Sequence, residues 1–371
     1  MFLIATVFGL ASCDSDRNSN PTLNVPESFV LNVPPYVTGV YDLQNTTNIL
    51  LTCSQPDYGF TAATSYKVQV SLTKDFAKPY TLPTSYNTAK MQVIANEFAV
   101  GVCTLMVDAN GYDEKNFPTD ELPIFVRLVA NLGSASAAVT SNVIELPKVK
   151  PYFALPPMVM PTEMYLNGTV FGNGDWSKSV SMVPVWGTPG KFWALQYFGT
   201  DKAEAVDIKF NSIKDANEGT PFSFDAQIDD ASKALAGITT TNNKLTVGKP
   251  GWYIIVVTTE IVGRNYIFHL QFLEPKVYLT GDPSGGYDVF DDARLFKVPA
   301  GLGEFESPAF VKDGELRICI KLANIDWWKT EFVVLAGKLE YRGNAGDQKR
   351  TQVATGQKVF INFTDATGSV K

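Results

Sequence analysis

The chain has 371 residues, 45% of them hydrophobic and 12% aromatic, with a formal net charge of −7. That length suits two or three domains of about 100 to 150 residues, and the apolar fraction supplies their cores, which excludes a disordered chain. The acidic balance, with no run of Lys or Arg, excludes the electrostatic footprint of a nucleic-acid or acidic-lipid binder.

The chain opens on "FLIATVFGLASCDSD", an apolar run of about ten residues, too short to span a bilayer but long enough for a signal-peptide core. Leu10-Ala11-Ser12-Cys13 then has the form of a bacterial lipobox. This predicts a signal peptide over 1–12, a lipid on Cys13 as the sole membrane attachment, and a polar, proline-bearing tether over 13–26. The acidic residues behind Cys13 resemble the signal that sends lipoproteins of Bacteroidetes to the cell surface. In that oxidising setting Cys53 and Cys103 can pair or remain buried thiols, and the sequence does not choose between them.

Over 27–147 alternating segments dominate. "SYKVQVSLT" sets Tyr66, Val68, Val70 and Leu72 against Lys67, Gln69 and Ser71, and "PIFVRLVA" turns Ile124, Val126, Leu128 and Ala130 inward. With "NILLTCSQ", "FAVGVCTLMV" and "SNVIEL" these predict the short strands of an immunoglobulin or fibronectin III-like antiparallel sandwich. The run "PKVKPYFALPPMVMPT" carries five prolines, which disfavour regular structure and mark a linker over 148–162.

An internal repeat follows. "EMYLNGTVFGNGDW" is answered by "KVYLTGDPSGGYDV", "GKFWALQYF" by "GEFESPAFV", and "AVDIKFNSIKDANEG" by "LRICIKLANIDWWKTE". This predicts two β-rich domains, 163–274 and 275–371, the first closing on a hairpin that turns at Gly263. Trp193 and Trp252 lie among apolar strand residues and are expected in the core. The doublet Trp327-Trp328, if extended, exposes Trp327 and buries Trp328.

The chemistry of catalysis is thin. The chain's one histidine, His269, sits mid-strand between Phe268 and Leu270, a poor base for a nucleophile. The cysteines are scattered singly, so no zinc site is expected, and "GDPSGG" lacks the Lys and helix of a phosphate loop. Asp288, Asp291 and Asp292 lack EF-hand spacing and read as a solvated loop. Hydrolysis by paired carboxylates stays open, although domains of this size are small for a glycosidase. What stands out instead is aromatic residues in Gly-rich loops beside long cations. A sugar offers an apolar C–H face and a rim of hydroxyls, which suits an exposed ring with Lys, Arg or Asn beside it. Stacking on one such ring removes about 100 Å² of apolar surface, about 2.5 kcal/mol before ordering costs, so a second platform in a tandem domain adds avidity.

The lipobox, "FVLNVPPYVTGVYDL", "LTCSQPDYGFTAATSYKVQVSLT" and the paired "YLNG" and "YLTG" domains resemble the SusE/SusF-type lipoproteins of the Bacteroides starch-utilisation system. The resemblance implies an all-β chain: an N-terminal immunoglobulin-like sandwich, then two tandem carbohydrate-binding-module-like sandwiches on the outer-membrane surface. It implies no catalysis and no cofactor, capture of polysaccharide such as starch or another α-glucan, and partnership with a SusC/SusD-type transporter and surface glycosidases. Carried across by residue, the loop rings are Trp176 in the middle domain, expected exposed, and Tyr287 in the last. The second platform in the last domain is Trp327 or Trp328, with Arg342, Lys321 or Arg317 as polar partners. The repeat sets Ala216 opposite Trp328, so the middle domain lacks that ring and offers Lys209, Lys214 and Asn217, with Trp186 as a substitute. The rival readings are an adhesin or structural spacer and, third, a glycoside hydrolase.

Overall fold

The structure, a computed structural model, describes residues 23–132, 138–200 and 205–371. Cys13 and the segment expected as a signal peptide, 1–12, lie outside the described residues. The chain divides into two compact units, Met1–Pro157 and Met158–Lys371.

The first unit holds β1 (Tyr41–Asp42), β2 (Asn48–Thr52), β3 (Ser65–Ser71), β4 (Tyr80–Tyr86), β5 (Lys90–Ile94), α1 (Ala95–Asn110), β6 (Leu122–Asn131), β7 (Val139–Thr140) and β8 (Ile144–Lys150). One sheet runs β1-β8-β6-β3-β4, with β7 also on β6, and β2 pairs with β5. The alternation read from sequence builds its centre: Tyr66, Val68 and Val70 face Ala130, Leu128 and Val126 across the strand pair, and all six are buried. Leu72 lies just past the end of β3 and is only half-buried.

Two expectations fail here for identifiable reasons. "FAVGVCTLMV" is the body of α1, not a strand. Its buried residues Phe98, Ala99, Val102, Leu105 and Met106 follow the helical period, and Gly111 ends the helix in the left-handed region at φ 69°. The proline-rich boundary also starts later, because β8 continues through Pro147 to Lys150. The β6–β8 register shifts between Leu122 and Ile124, so Pro147 sits at a bulge where the missing N–H costs no ladder bond. Cys53 and Cys103 are separate buried thiols.

In the second unit, the first repeat contributes β9 (Tyr165–Gly168), β10 (Val180–Ser181), β11 (Val183–Pro184), β12 (Lys191–Phe198), β13 (Val206–Asn211), β14 (Gln227–Ile228), α2 (Asp230–Ala236), β15 (Ile238–Thr241), β16 (Lys244–Val247), β17 (Gly251–Val262) and β18 (Asn265–Leu273). They form two sheets, β10-β9-β13-β16-β15 and β11-β12-β17-β18-β14. The expected hairpin is β17–β18, closing from Val262 to Asn265 with Gly263 at φ 60°, the positive value such a turn requires.

The second repeat contributes β19 (Val277–Thr280), β20 (Phe305–Glu306), β21 (Gly314–Glu315), β22 (Arg317–Ile320), β23 (Glu331–Leu335), β24 (Lys338–Tyr341), β25 (Gln352–Val353), β26 (Val359–Asn362) and β27 (Thr367–Val370). Its main sheet runs β19-β22-β23-β24-β27-β26-β20. The architecture is thus the mostly-β sandwich arrangement expected.

The two repeats are not beads on a string. Strands β12 and β17 are buried on both faces: Phe192, Ala194, Tyr253, Ile255 and Val257 fill their own repeat's core, while Trp193, Leu195, Trp252, Ile254 and Val256 join Phe305, Phe310, Phe332 and Leu339 in the core of the next. Trp193 and Trp252 are core residues as expected, but the core belongs to both modules. Trp252 Nε1 donates to Gly301 O at 2.8 Å, whereas Trp193 Nε1 is buried without a hydrogen-bond partner.

Candidate functional site

Each repeat places a ring and a cation on the strand pair that carries its Tyr-Leu-X-Gly motif. In the ladders, Lys209 of β13 lies across from Asn167, and Arg317 of β22 lies across from Thr280. Asn167 and Thr280 are the variable third residues of the two motifs, so Lys209 and Arg317 hold equivalent places. Each turns its charge onto the loop ring of its own repeat. Lys209 Nζ lies 5.2 Å from the Trp176 ring centroid, and the Arg317 guanidinium 5.9 Å from that of Tyr287.

The rings themselves differ. Trp176, expected exposed, is only 6% exposed. The loop before it turns back through left-handed residues Gly172, Asn173 and Gly174. Buried Asn167 then staples it: Oδ1 accepts the Gly174 N–H at 2.9 Å, and Nδ2 donates to Asp175 O at 3.1 Å and Ser179 Oγ at 3.0 Å. Asp175 caps the short 3₁₀ turn that begins at Trp176 by accepting from Ser177 N. The loop's polar residues therefore bond its own backbone, and the ring goes inward. At this depth Trp176 offers a sugar almost no surface. Beside it lies a cavity of about 370 Å³ whose lining includes Asn167, Gly174, Asp207, Lys209 and Lys244, with no aromatic residue. Lys214 is exposed and covers the Tyr165 ring at 5.2 Å, and Asn217 lies on the exposed loop with its N–H bound to Asp215 Oδ1.

In the last repeat Tyr287 is 45% exposed. Its ring centroid lies 6.1 Å from that of Trp327 at an interplanar angle of 35°, and Trp327 Nε1 donates to Asp288 Oδ1 at 2.7 Å. The doublet is not extended: Trp327–Thr330 form a 3₁₀ turn, anchored by buried Thr330 donating to Ile320 O at 2.6 Å. With about three residues per turn, neighbours point about 120° apart and not 180°. Both Trp327 and Trp328 are accordingly half-buried, which corrects the expectation of one exposed and one buried. Trp327 turns toward Tyr287. Trp328 turns toward Arg342, whose guanidinium lies 4.8 Å from its ring centroid, with Lys329 Nζ at 5.5 Å.

A residue absent from the sequence-based candidates organises this cluster. Glu331, its side chain 1% exposed, receives Arg317 at 3.2 Å, Arg342 at 3.3 Å and Arg350 at 3.0 Å. Burial pushes the Glu331 pKa up against the pull of the three guanidiniums. Direct bonds to both carboxylate oxygens call for the ionised form, because a buried charge is tolerable only when its lone pairs are met. Arg317 and Arg342 are thereby fixed beneath Tyr287 and Trp328. Arginines this far apart in sequence announce no common partner, and a Glu beside Phe332 in a strand reads as solvent-facing.

Lys321 stands apart from this cluster. It covers Phe290 at 4.7 Å and faces a groove of about 740 Å³ shared with Lys191 and Lys276, in which Phe272 and Tyr278 are buried. The equivalence of Ala216 with Trp328 also fails. Strand β22 leads through the 3₁₀ turn directly to its neighbour β23, whereas β13 pairs with β16 only after β14, α2 and β15, so among the described residues the middle repeat has no counterpart of the turn that carries Trp328. His269 points its ring at Glu260 across the hairpin, with Nε2 at 3.2 Å from Oε2.

The family model of SusF/SusE starch-specific CBMs matches residues 163–268 and 276–369, the two repeats just described, and that of the SusE outer membrane protein matches 16–110. The chain belongs to the SusF/SusE family. A relative, the outer membrane protein SusF of Bacteroides thetaiotaomicron, is 41% identical over 221 residues, covering 57% of this chain and 44% of that protein. The chain thus spans less than half the length of that SusF. The crystal structure of SusF from Bacteroides thetaiotaomicron shares the fold, with a TM-score of 0.51 at 20% identity over 93% of this chain and 99% of the other. Among the described residues no helix is long and apolar enough to cross a membrane.

Proposed function

We propose that this SusF/SusE-family chain is a non-catalytic, lipid-anchored protein of the outer-membrane surface that captures starch or a related α-glucan, through its last module above all. It passes the polymer to a SusC/SusD-type transporter and surface glycosidases. The observation that carries the reading is the tilted pair of exposed Tyr287 and half-buried Trp327, backed by Arg317, with Trp328 and Arg342 alongside. An α-1,4-linked chain curves, so successive sugars present their faces at an angle. Rings tilted by 35° suit that curve better than the flat ribbon of a β-1,4 glucan. The arginines supply donors for the hydroxyl rim.

Native electrophoresis through gels containing amylopectin, pullulan, xylan or levan tests it. Retardation by the α-glucans is expected, with no reducing ends released on incubation. Retardation by xylan or levan alone would overturn the α-glucan assignment, and migration unchanged in every gel would overturn binding. A protein-docking spacer is the second reading, favoured by Val30, Val33 and Tyr36 of the first unit, which are 54%, 59% and 65% exposed.

A further inference from the structure

We infer that the glycan cleft of the last module is completed by a ring from the module before it, Trp186, so that the two modules share one extended site. The inference rests on the glycan-binding reading above.

Trp186 follows β11, and its backbone N–H donates to Lys329 O at 3.1 Å, inside the turn that carries the tryptophan doublet. Arg342 lies between two indoles from two modules, with its guanidinium 5.4 Å from the centroid of Trp186 and 4.8 Å from that of Trp328. Its side chain is only 14% exposed and is tied to Glu331, so it acts as a fixed spacer between the rings. The loop that follows packs onto the same place. Gly343, at φ 46°, approaches Pro184, and Gly346, at φ 87°, approaches Trp186 Cη2, where an added Cβ would sit at 3.8 Å. The ring of Trp186 therefore faces the last module, and it does not serve the Trp176–Lys209 face of its own. Both Trp186 and Trp328 are half-buried and keep solvent-facing area.

The joint does not depend on linker geometry. Trp193 packs against Phe332 at 5.9 Å and against Tyr341, the residue before Arg342, at 5.5 Å. The core that sets Trp186 is the one that sets Arg342. Contacts run from Tyr287 to Trp327, then through the doublet to Trp328, and across Arg342 to Trp186. Such a row is longer than one module supplies, and its far end matters only to a glycan long enough to reach it.

The test is calorimetric titration of the full chain with maltotriose and maltoheptaose. Trp186→Ala is expected to weaken maltoheptaose binding about tenfold, one stacked ring's worth, while maltotriose affinity stays within about twofold. Trp328→Ala weakens both. Should the alanine variant lose its thermal melt, Trp186→Phe takes its place, with a smaller loss confined to the longer ligand. Equal losses for both ligands, or no loss for either, would overturn the shared cleft while leaving the glycan-binding reading intact if the unmodified chain binds. Failure of the unmodified chain to bind either ligand would overturn both.

Discussion

The two repeats of the second unit put the same parts to opposite use. Lys209 with Trp176 and Arg317 with Tyr287 are one arrangement in two copies, a cation from the strand over a ring from the Gly-rich loop. In the middle repeat Asn167 folds the loop inward and the ring becomes packing. In the last repeat Thr280 occupies Asn167's place, Tyr287 stays outside, and a neighbouring ring arrives from the 3₁₀ turn. The duplicated motif thus keeps its strand pair and its cation, while the loop that follows differs in length and bonding and sets one ring in the core and the other toward solvent.

The largest expected effect tests the anchor of the exposed copy. Glu331→Gln leaves three half-buried guanidiniums without their shared carboxylate and is expected to cost about 3 kcal/mol of stability, read by chemical denaturation of the full chain. A loss below about 1 kcal/mol would mean that the arginines stand without it. Next is the buried copy: Trp176→Ala should cost about 3 kcal/mol of stability, with gel retardation by amylopectin retained under native conditions. Retardation lost from a folded variant would place a working site in the middle repeat and end the contrast.

Smaller effects refine it. Tyr287→Ala and Trp327→Ala should each weaken α-glucan affinity about tenfold in titrations while changing stability little, since each ring is partly solvent-exposed already. Lys209→Ala, which removes only a cation over a buried ring, should cost less than about 1 kcal/mol and leave retardation unchanged.

How much of this was legible depended on distance along the chain. The strands around Val68 and Leu128, the Gly263 hairpin and the repeat were readable because period-two alternation, turn glycine and self-similarity are local properties. The segment from Phe98 to Met106 misled because a buried amphipathic helix and a buried strand show equally apolar short runs, and the deciding cap, Gly111, lies beyond the run. Trp176 misled because Gly, Asn and Asp around a ring look like solvent-facing loop, whereas here Asn167 spends both ends of its amide on that loop's backbone. The register between the repeats was also misjudged, since only the ladders pair Lys209 with the place of Arg317.

The residues alone determined the fold class and the duplication, because apolar periodicity and motif spacing survive without coordinates. Tertiary structure alone decided which rings face solvent, that Glu331 gathers Arg317, Arg342 and Arg350, and that Trp193 and Trp252 build a core common to two modules. Those outcomes depend on groups far apart in the chain coming within a few ångströms. Burial and charge pairing take their sign only from such neighbours.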